Sequence, residues 1–269
     1  MNTYELMIKT NHFLIKGGTF TEKQKQNIVK QFMSAVITSD KAQKFYRAVR
    51  FPGNIDQNGR RMYPIFFLPP YNNGNKLKTI FNQTPKTHIL SANMYELEII
   101  RILHILDPEN ETVKEMVEQS LRRLRTTCFG NEDGGEGECF DTSIVVLRFL
   151  AQVAPSDTKW IKSRIDNYNN HVDEKKRPWF SKWYFWLCLS ELPFDIAKPE
   201  IEKYMPTILN WLCKKSCVMN SEHDKTIHPV LFFMLRNILV RFPEYEYIKN
   251  RQPYIGEKDG RLYFDMSIQ

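Results

Sequence analysis

Apolar residues recur at the three- and four-residue spacing of amphipathic helices along most of the chain. The clearest early example covers residues 21–38, which open with a Thr-x-x-Gln capping box. Gly17 and Gly18 are predicted to end an earlier helix, and residues 40–49 are predicted to form a short one. The pattern therefore predicts a helical N-terminal part over residues 1–50.

The helical pattern stops between residues 51 and 91. Prolines and glycines forbid a long helix there, at Pro52, Gly53, Gly59, Pro64, Pro69, Pro70, Gly74 and Pro85. Residues 62–68 are predicted to form a short strand or an extended apolar segment. A loop of this length in a compact protein is often functional or covers another part of the molecule. We therefore predict an irregular insert over residues 51–91.

Regular helices return over residues 92–250, in pairs that prolines punctuate. Four times an apolar helix ends near a proline and a more polar segment follows, at Pro108, Pro155, Pro193 and Pro243. Asp107 is predicted to cap the helix after Pro108, and Ser156-Asp157 the helix after Pro155. Because each apolar face needs a neighbouring hairpin to cover it, the pattern predicts stacked helix hairpins of the α/α-toroid or α-solenoid type.

The last residues, 251–269, are predicted to form a small β-hairpin with its turn on Asp259-Gly260. No stretch of the chain has the composition of a linker. The sequence therefore favours one all-α domain over residues 1–269, closed by this C-terminal cap.

Composition and charge limit the classes of function. No apolar run is long enough to span a bilayer, and the N-terminus lacks the hydrophobic block of a signal peptide, which predicts a cytoplasmic protein with no membrane segment. Five cysteines without an export signal favour free thiols over disulfides. The net charge of +7 comes from basic residues scattered among acidic ones, which does not favour nucleic-acid binding.

The most distinctive segment is the acidic, glycine-rich loop at residues 126–142. One interpretation is a flexible connector whose carboxylates stabilise the N-terminus of the next helix. The other is a site for a cation or a cationic substrate, in which Glu136, Glu138 and Asp141 act as oxygen ligands or acid–base groups. The glycines are not a phosphate loop, because no Gly-Lys-Ser/Thr follows and the acidic charge would repel phosphate.

Residues 137–147, GECFDTSIVVL, resemble the loop-to-inner-helix junctions of α/α-toroid proteins of the terpenoid cyclase and protein prenyltransferase type. The resemblance implies helix pairs around a central cavity. The chain lacks an Asp-x-Asp-Asp cluster and a Gln-Trp repeat, so cyclase chemistry is not implied. Of the Asp, Cys and His of a prenyltransferase-like zinc site, Cys139 and Asp141 are present, in a different order and spacing.

A second cluster of zinc-ligand residue types lies within 16 residues, at Cys213, Cys217, His223 and His228. The alternative is that the two cysteines lie four apart on one buried helix face and that each histidine is a solvated or capping residue. The two histidines also precede the last apolar helix, where a toroid or solenoid presents the chemistry of its concave face.

An aromatic block contains Trp179, Trp183 and Trp186. These rings are either core packing or the wall of an apolar pocket for a hydrophobic or sugar-like ligand. No Gly-x-Ser-x-Gly elbow and no Gly-x-Gly-x-x-Gly loop occurs in the sequence.

Two hypotheses of function follow, and neither calls for a cofactor. The first is a binding or scaffold protein whose concave face grips a peptide or another protein, because helix pairs occur without a catalytic motif. The second is an enzyme with a central cavity acting on an apolar or sugar-like substrate. Its catalytic candidates are Glu136, Glu138, Asp141, His223 and His228.

Overall fold

The computed structural model describes residues 1–37, 54–55, 61–62, 65–66, 77–135, 137–171, 179–214 and 216–267. This part of the chain is mostly helical, which confirms the all-α prediction. The helices are α1 (Thr3–Ile15), α2 (Glu22–Met33), α3 (His88–Leu106), α4 (Glu111–Arg125), α5 (Phe140–Val153), α6 (Thr158–His171), α7 (Trp179–Glu191), α8 (Phe194–Lys214) and α9 (Glu222–Leu239). Short 3-10 helices lie at Gly137–Cys139 and Pro243–Ile248.

Two antiparallel strand pairs complete the secondary structure of the described residues. In the first, β1 (Asn54–Ile55) pairs with β2 (Arg61–Met62). In the second, β3 (Tyr254–Ile255) pairs with β4 (Leu262–Tyr263), which confirms the predicted C-terminal hairpin. The helix predicted at 40–49 and most of the extended segment predicted at 62–68 lie outside the described residues.

The chain divides into two compact units. The first unit contains Met1–Asn11 and Phe20–Arg177, and the second contains His12–Thr19 and Pro178–Gln269. Helix α1 thus contributes residues to both. That the whole chain forms a single domain stays a prediction.

In the first unit, α3 packs against α2, α4 and α5, and α5 packs against α6. Residues 93–103 of α3 and 142–151 of α5 are buried without interruption, as expected for helices that other elements surround on all sides. Helix α4 is amphipathic instead and buries one face, at Val113, Met116, Val117 and Leu124. The apolar first helix of each pair is therefore central, and the second helix covers it.

The second unit has the same division between central and covering helices. Helix α9 packs against α7 and α8, and α7 packs against α8. Residues 183–189 of α7 and 230–236 of α9 are buried without interruption. The C-terminal hairpin joins this unit because the backbones of Cys217 and Leu262 exchange two hydrogen bonds, of 2.9 and 2.8 Å.

Pro108, Pro155 and Pro193 lie in the turns between helices, as the pattern predicts. One predicted helix cap, at Asp107, is wrong. Helices α3, α5 and α7 each end two residues before a proline. Asp157 caps α6 through a bond from the Trp160 N–H to Oδ1. Helix α4 is capped by Asn110, whose Oδ1 accepts from the N–H groups of Thr112 and Val113, and not by Asp107. The reason is position, because α4 begins at residue 111 and only residue 110 can reach its first free N–H groups.

Within the described residues, no helix combines the length and the apolar character needed to cross a membrane.

Candidate functional site

The acidic glycine-rich loop is bound to α6 through its backbone. Trp160 Nε1 donates to the Gly130 carbonyl at 2.6 Å. Arg164 donates from Nη1 to the Gly134 carbonyl at 2.7 Å and from Nη2 to the Glu132 carbonyl at 2.5 Å. Burial lowers the pKa of the Arg164 guanidinium, while the charges of Asp133 and Glu132 raise it. This part of the loop is therefore held in one conformation by α6 and does not have the form of a free connector.

The three acidic candidates of this loop are only partly described. Glu136 lies outside the described residues, as does the side chain of Glu138. Asp141 is half-buried in the first turn of α5, where its negative charge favours the helix N-terminus. Glu132, which the sequence did not single out, is paired with Lys159 at 2.7 Å, and this contact lowers the pKa of its carboxyl group.

The histidine candidates lie in the first turns of α9. Ser221 caps this helix in a reciprocal box with Asp224, and the hydrogen bond from the Ser221 hydroxyl lowers the pKa of Asp224. His228 donates from Nδ1 to the Val218 carbonyl at 3.0 Å, because a carbonyl can only accept. His223 is exposed. His228 thus holds the loop that precedes α9, and a catalytic role for either histidine stays a prediction.

The acidic loop belongs to the first unit and the two histidines belong to the second. Shared catalysis by these residues therefore also stays a prediction.

The two cysteines of the proposed zinc cluster do not share a helix. Helix α8 ends at Lys214, so Cys213 lies in its last turn and Cys217 lies beyond it. Cys213 is exposed and Cys217 is buried, and burial raises the pKa of the Cys217 thiol. Among the described residues, no three His, Cys, Asp or Glu side chains lie close enough to hold a metal ion.

The tryptophans that the sequence offered as a pocket wall lie in the core of the second unit. Trp183 is 3% exposed and Trp186 is fully buried. The Trp183 ring meets those of Trp186 and Trp211 edge-on, with centroids 5.4 and 5.0 Å apart. The side chain of Trp179 is not among those described. A ligand could reach Trp183 and Trp186 only if this core opened, so the observed geometry fits the core-packing interpretation.

An open cavity of about 440 Å³ lies in the second unit, between α8 and the 3-10 helix at Pro243–Ile248. We call it the anchor pocket. Its apolar surface comes from Phe194, Met205, Phe242, Pro243 and Tyr245. Its charged surface comes from Lys198, Glu202 and Glu244, all exposed. Pockets of this size commonly take a small molecule or a large side chain.

The aromatic side of the anchor pocket is held in place by Arg241. Its Nη1 and Nη2 donate to the carbonyls of Leu189 and Leu192, both at 2.5 Å, where α7 ends. The guanidinium carbon lies 5.1 Å from the centre of the Phe194 ring, which meets the Phe242 ring edge-on at 5.1 Å. These contacts fix the two rings, so the pocket is formed before any ligand binds.

Two buried clusters of charged residues lie in the first unit. In one, Arg148 Nη1 donates to both carboxylate oxygens of Glu98 and to Asn11 Oδ1, and Arg101 joins through the same two partners. In the other, Glu96 accepts from Arg123 Nη2 at 2.6 Å and from the backbone N–H groups of Ile65 and Phe66. The second cluster attaches the insert to α3.

Sequence reasoning missed both the anchor pocket and these clusters. The signal available for the pocket was Pro243 itself, which marks a turn where the chain passes close to the start of α8. The signal for the clusters was the presence of charged residues inside apolar helices. No protein-family model, curated protein or solved structure matches this chain.

Proposed function

We propose that the chain is a binding protein that holds a peptide segment of a partner protein in the anchor pocket. The observation that carries the proposal is the composition of this one cavity. Its floor is the apolar surface of Phe194, Met205, Phe242, Pro243 and Tyr245, and its rim is the charged surface of Lys198, Glu202 and Glu244. Peptide recognition commonly uses an apolar anchor for affinity and flanking charges for specificity.

The floor selects the anchor residue of the peptide. Phe194 and Phe242 contribute two rings that meet edge-on, and Met205 adds a side chain that adapts to different shapes. A bulky apolar or aromatic side chain therefore fits the cavity. Burial and the charge of Glu244 raise the pKa of the Tyr245 hydroxyl, which stays protonated at neutral pH and can donate to a peptide carbonyl.

The rim selects the residues beside the anchor. Glu202 and Glu244 contribute two negative charges, and Lys198 contributes one positive charge 3.9 Å from Glu202. The local balance is negative although the whole chain carries +7. A lysine or arginine next to the anchor residue would complement this rim and speed the encounter.

The same proposal includes the finer architecture and the location. We propose that the helix pairs stack as in an α/α-toroid or α-solenoid protein of the cytoplasm. Its support within each unit is the packing of apolar first helices on each other, α3 on α5 and α7 on α9. In such proteins each helix pair contacts its neighbours, and the stack presents an extended surface that binds partners.

Selection from a random peptide library on the immobilised chain tests the function. We expect enriched peptides to share a bulky apolar residue flanked by lysine or arginine. The double variant Glu202→Lys/Glu244→Lys should bind a selected peptide at least about tenfold more weakly, a loss of about 1.4 kcal/mol. Glu257→Lys, an exposed carboxylate in the C-terminal hairpin, is the matched control and should bind normally. Equal binding by the double variant, or selected peptides without an apolar anchor, would refute the proposal.

A further inference from the structure

Two cysteine thiols meet at the base of the acidic loop. Cys128 Sγ lies 3.1 Å from Cys139 Sγ, although 11 positions separate them in the sequence. A disulfide bond is about 2.05 Å long, so the two sulfurs need to approach by only about 1 Å to bond. Cys128 is exposed and Cys139 is half-buried, so a soluble reagent can reach the pair.

The loop backbone imposes this approach. Cys128 follows α4, and Cys139 is the residue immediately before α5. A Cβ at Gly134 would lie 1.9 Å from the Cys128 carbonyl oxygen, so the loop packs directly against the Cys128 peptide group. The Arg164 guanidinium holds the Gly134 carbonyl from the other side. The two thiols therefore meet because the loop is folded back, and not through one side-chain rotation alone.

We propose that Cys128 and Cys139 form a redox modification site that closes to a disulfide by exchange with a small soluble disulfide of the glutathione class. The Cys128 thiolate attacks one sulfur of that molecule, and one small thiolate leaves and takes up a proton. The Cys139 thiolate, favoured by the N-terminus of α5, then attacks Cys128 Sγ and expels the second small thiol. Two protein thiols lose two electrons and two protons, and one small disulfide becomes two small thiols.

The remaining cysteines provide the contrast. Cys188 is fully buried, and burial raises the pKa of the Cys217 thiol, so neither is placed to react. Cys213 is exposed, as Cys128 is, and serves as the matched control. The closed disulfide would join the ends of α4 and α5 covalently and set the position of the acidic residues between them. The site is independent of the anchor pocket, so the two proposals fail separately.

The experiment equilibrates the full chain with glutathione buffers of increasing oxidising strength, quenches with acid and alkylates free thiols. In Cys213→Ser, which lacks the other exposed thiol, we expect the number of alkylated thiols to fall from four to two and the unalkylated mass to fall by about 2 Da. Trypsin leaves both cysteines on one peptide, residues 126–148, because no lysine or arginine lies between them. Cleavage after glutamate then separates the cysteines, and the fragments should stay joined until a reductant is added.

Variants assign the linkage. Cys139→Ser in this Cys213→Ser background should give no linked fragments and a single glutathione adduct on Cys128. In the unsubstituted chain the exposed Cys213 should take up glutathione and join no other fragment. Circular dichroism matching that of the unmodified chain shows that each variant is folded. The proposal is overturned if all four thiols of Cys213→Ser remain in the most oxidising buffer. It is equally overturned if glutathione adds separately to Cys128 and Cys139 without joining them.

Discussion

Arg148 and Glu98 form an ion pair that is almost completely closed to solvent, with Arg148 Nη1 2.8 Å from both carboxylate oxygens. Removing two charges from water is costly, and the pair persists because Arg101 and Asn11 supply further hydrogen bonds. This cluster links α1, α3 and α5 within the first unit. All four members are buried, so the removal of any one leaves its partners with unmet hydrogen bonds in a site closed to water.

Replacing Arg148 with methionine should lower the free energy of unfolding by about 3–5 kcal/mol, because the buried Glu98 carboxylate loses its two 2.8 Å contacts and keeps the longer, 3.3 Å bond from Arg101. Urea denaturation followed by circular dichroism measures the change. The matched control is Arg122→Met, which breaks an exposed pair with Glu118 and should shift the midpoint little. If both variants lose a comparable free energy of unfolding, burial does not decide how much an ion pair contributes to stability.

Replacing Arg164 with lysine should loosen the acidic loop. One ammonium cannot span the Gly134 and Glu132 carbonyls in the way that the two ends of a guanidinium do. We expect faster amide hydrogen exchange over residues 128–135. The loss of stability should be about 0.5–1.5 kcal/mol, that of one hydrogen bond, because the Gly134 carbonyl keeps the bond from Asn167 Nδ2. Lys159→Met removes an exposed partner of Glu132 and should leave the exchange unchanged. Unaltered hydrogen exchange in Arg164→Lys would mean that the loop keeps its conformation without the two bonds from the guanidinium.

Replacing Gly134 with alanine should displace the loop, because the new Cβ would lie 1.9 Å from the backbone oxygen of Cys128. We expect destabilisation of about 1–3 kcal/mol and slower closure of the Cys128–Cys139 disulfide, since the movement separates the sulfurs. Gly260→Asn tests a glycine with positive φ and free space around it, and should be nearly neutral because asparagine tolerates that conformation. Normal closure in Gly134→Ala would show that the backbone contact does not set the sulfur distance.

His104 should make the stability depend on pH. Burial lowers its pKa in the folded chain below the usual 6.5, and its Nδ1 has no hydrogen-bond partner among the described residues. The unfolded chain therefore binds the proton more readily, and the contribution of neutral His104 is present above about pH 6.5 and is lost as the pH falls below it. His104→Gln should flatten this part of the stability profile. Urea denaturation at several pH values measures the free energy of unfolding of both proteins. If it changes with pH to the same extent in both, His104 is not the origin of the dependence.

Local patterns were enough to predict the helix pairs and the C-terminal hairpin. The apolar run of α5 and the Asp259-Gly260 turn are each formed by residues that are adjacent in the sequence, so both can be recognised from the sequence alone. The alternative to the zinc interpretation, which placed Cys213 and Cys217 on one buried helix face, is wrong because nothing local marks the end of α8 at Lys214.

Long-range contacts were beyond such patterns. Arg148 and Glu98 lie 50 positions apart inside helices buried on all sides, where the order of apolar residues gives no information about a charged partner. The anchor pocket combines Phe194 with residues 242–245, which meet only through tertiary packing. The prediction of the α4 cap failed for a local reason. Asp107 and Asn110 are both suitable capping residues, and which one caps depends on where the helix begins.

The Glu96 carboxylate has a consequence for the order of folding. It accepts from Arg123 on α4 and from two backbone N–H groups of the insert, at Ile65 and Phe66, about 30 residues before it. Pairing α3 with α4 closes only the turn between Leu106 and Glu111, whereas joining Phe66 to Glu96 closes a loop of 30 residues. The helix pair should therefore assemble first and present a prepared acceptor. The backbone at Ile65 and Phe66 would then bind this acceptor after the helix pair has formed.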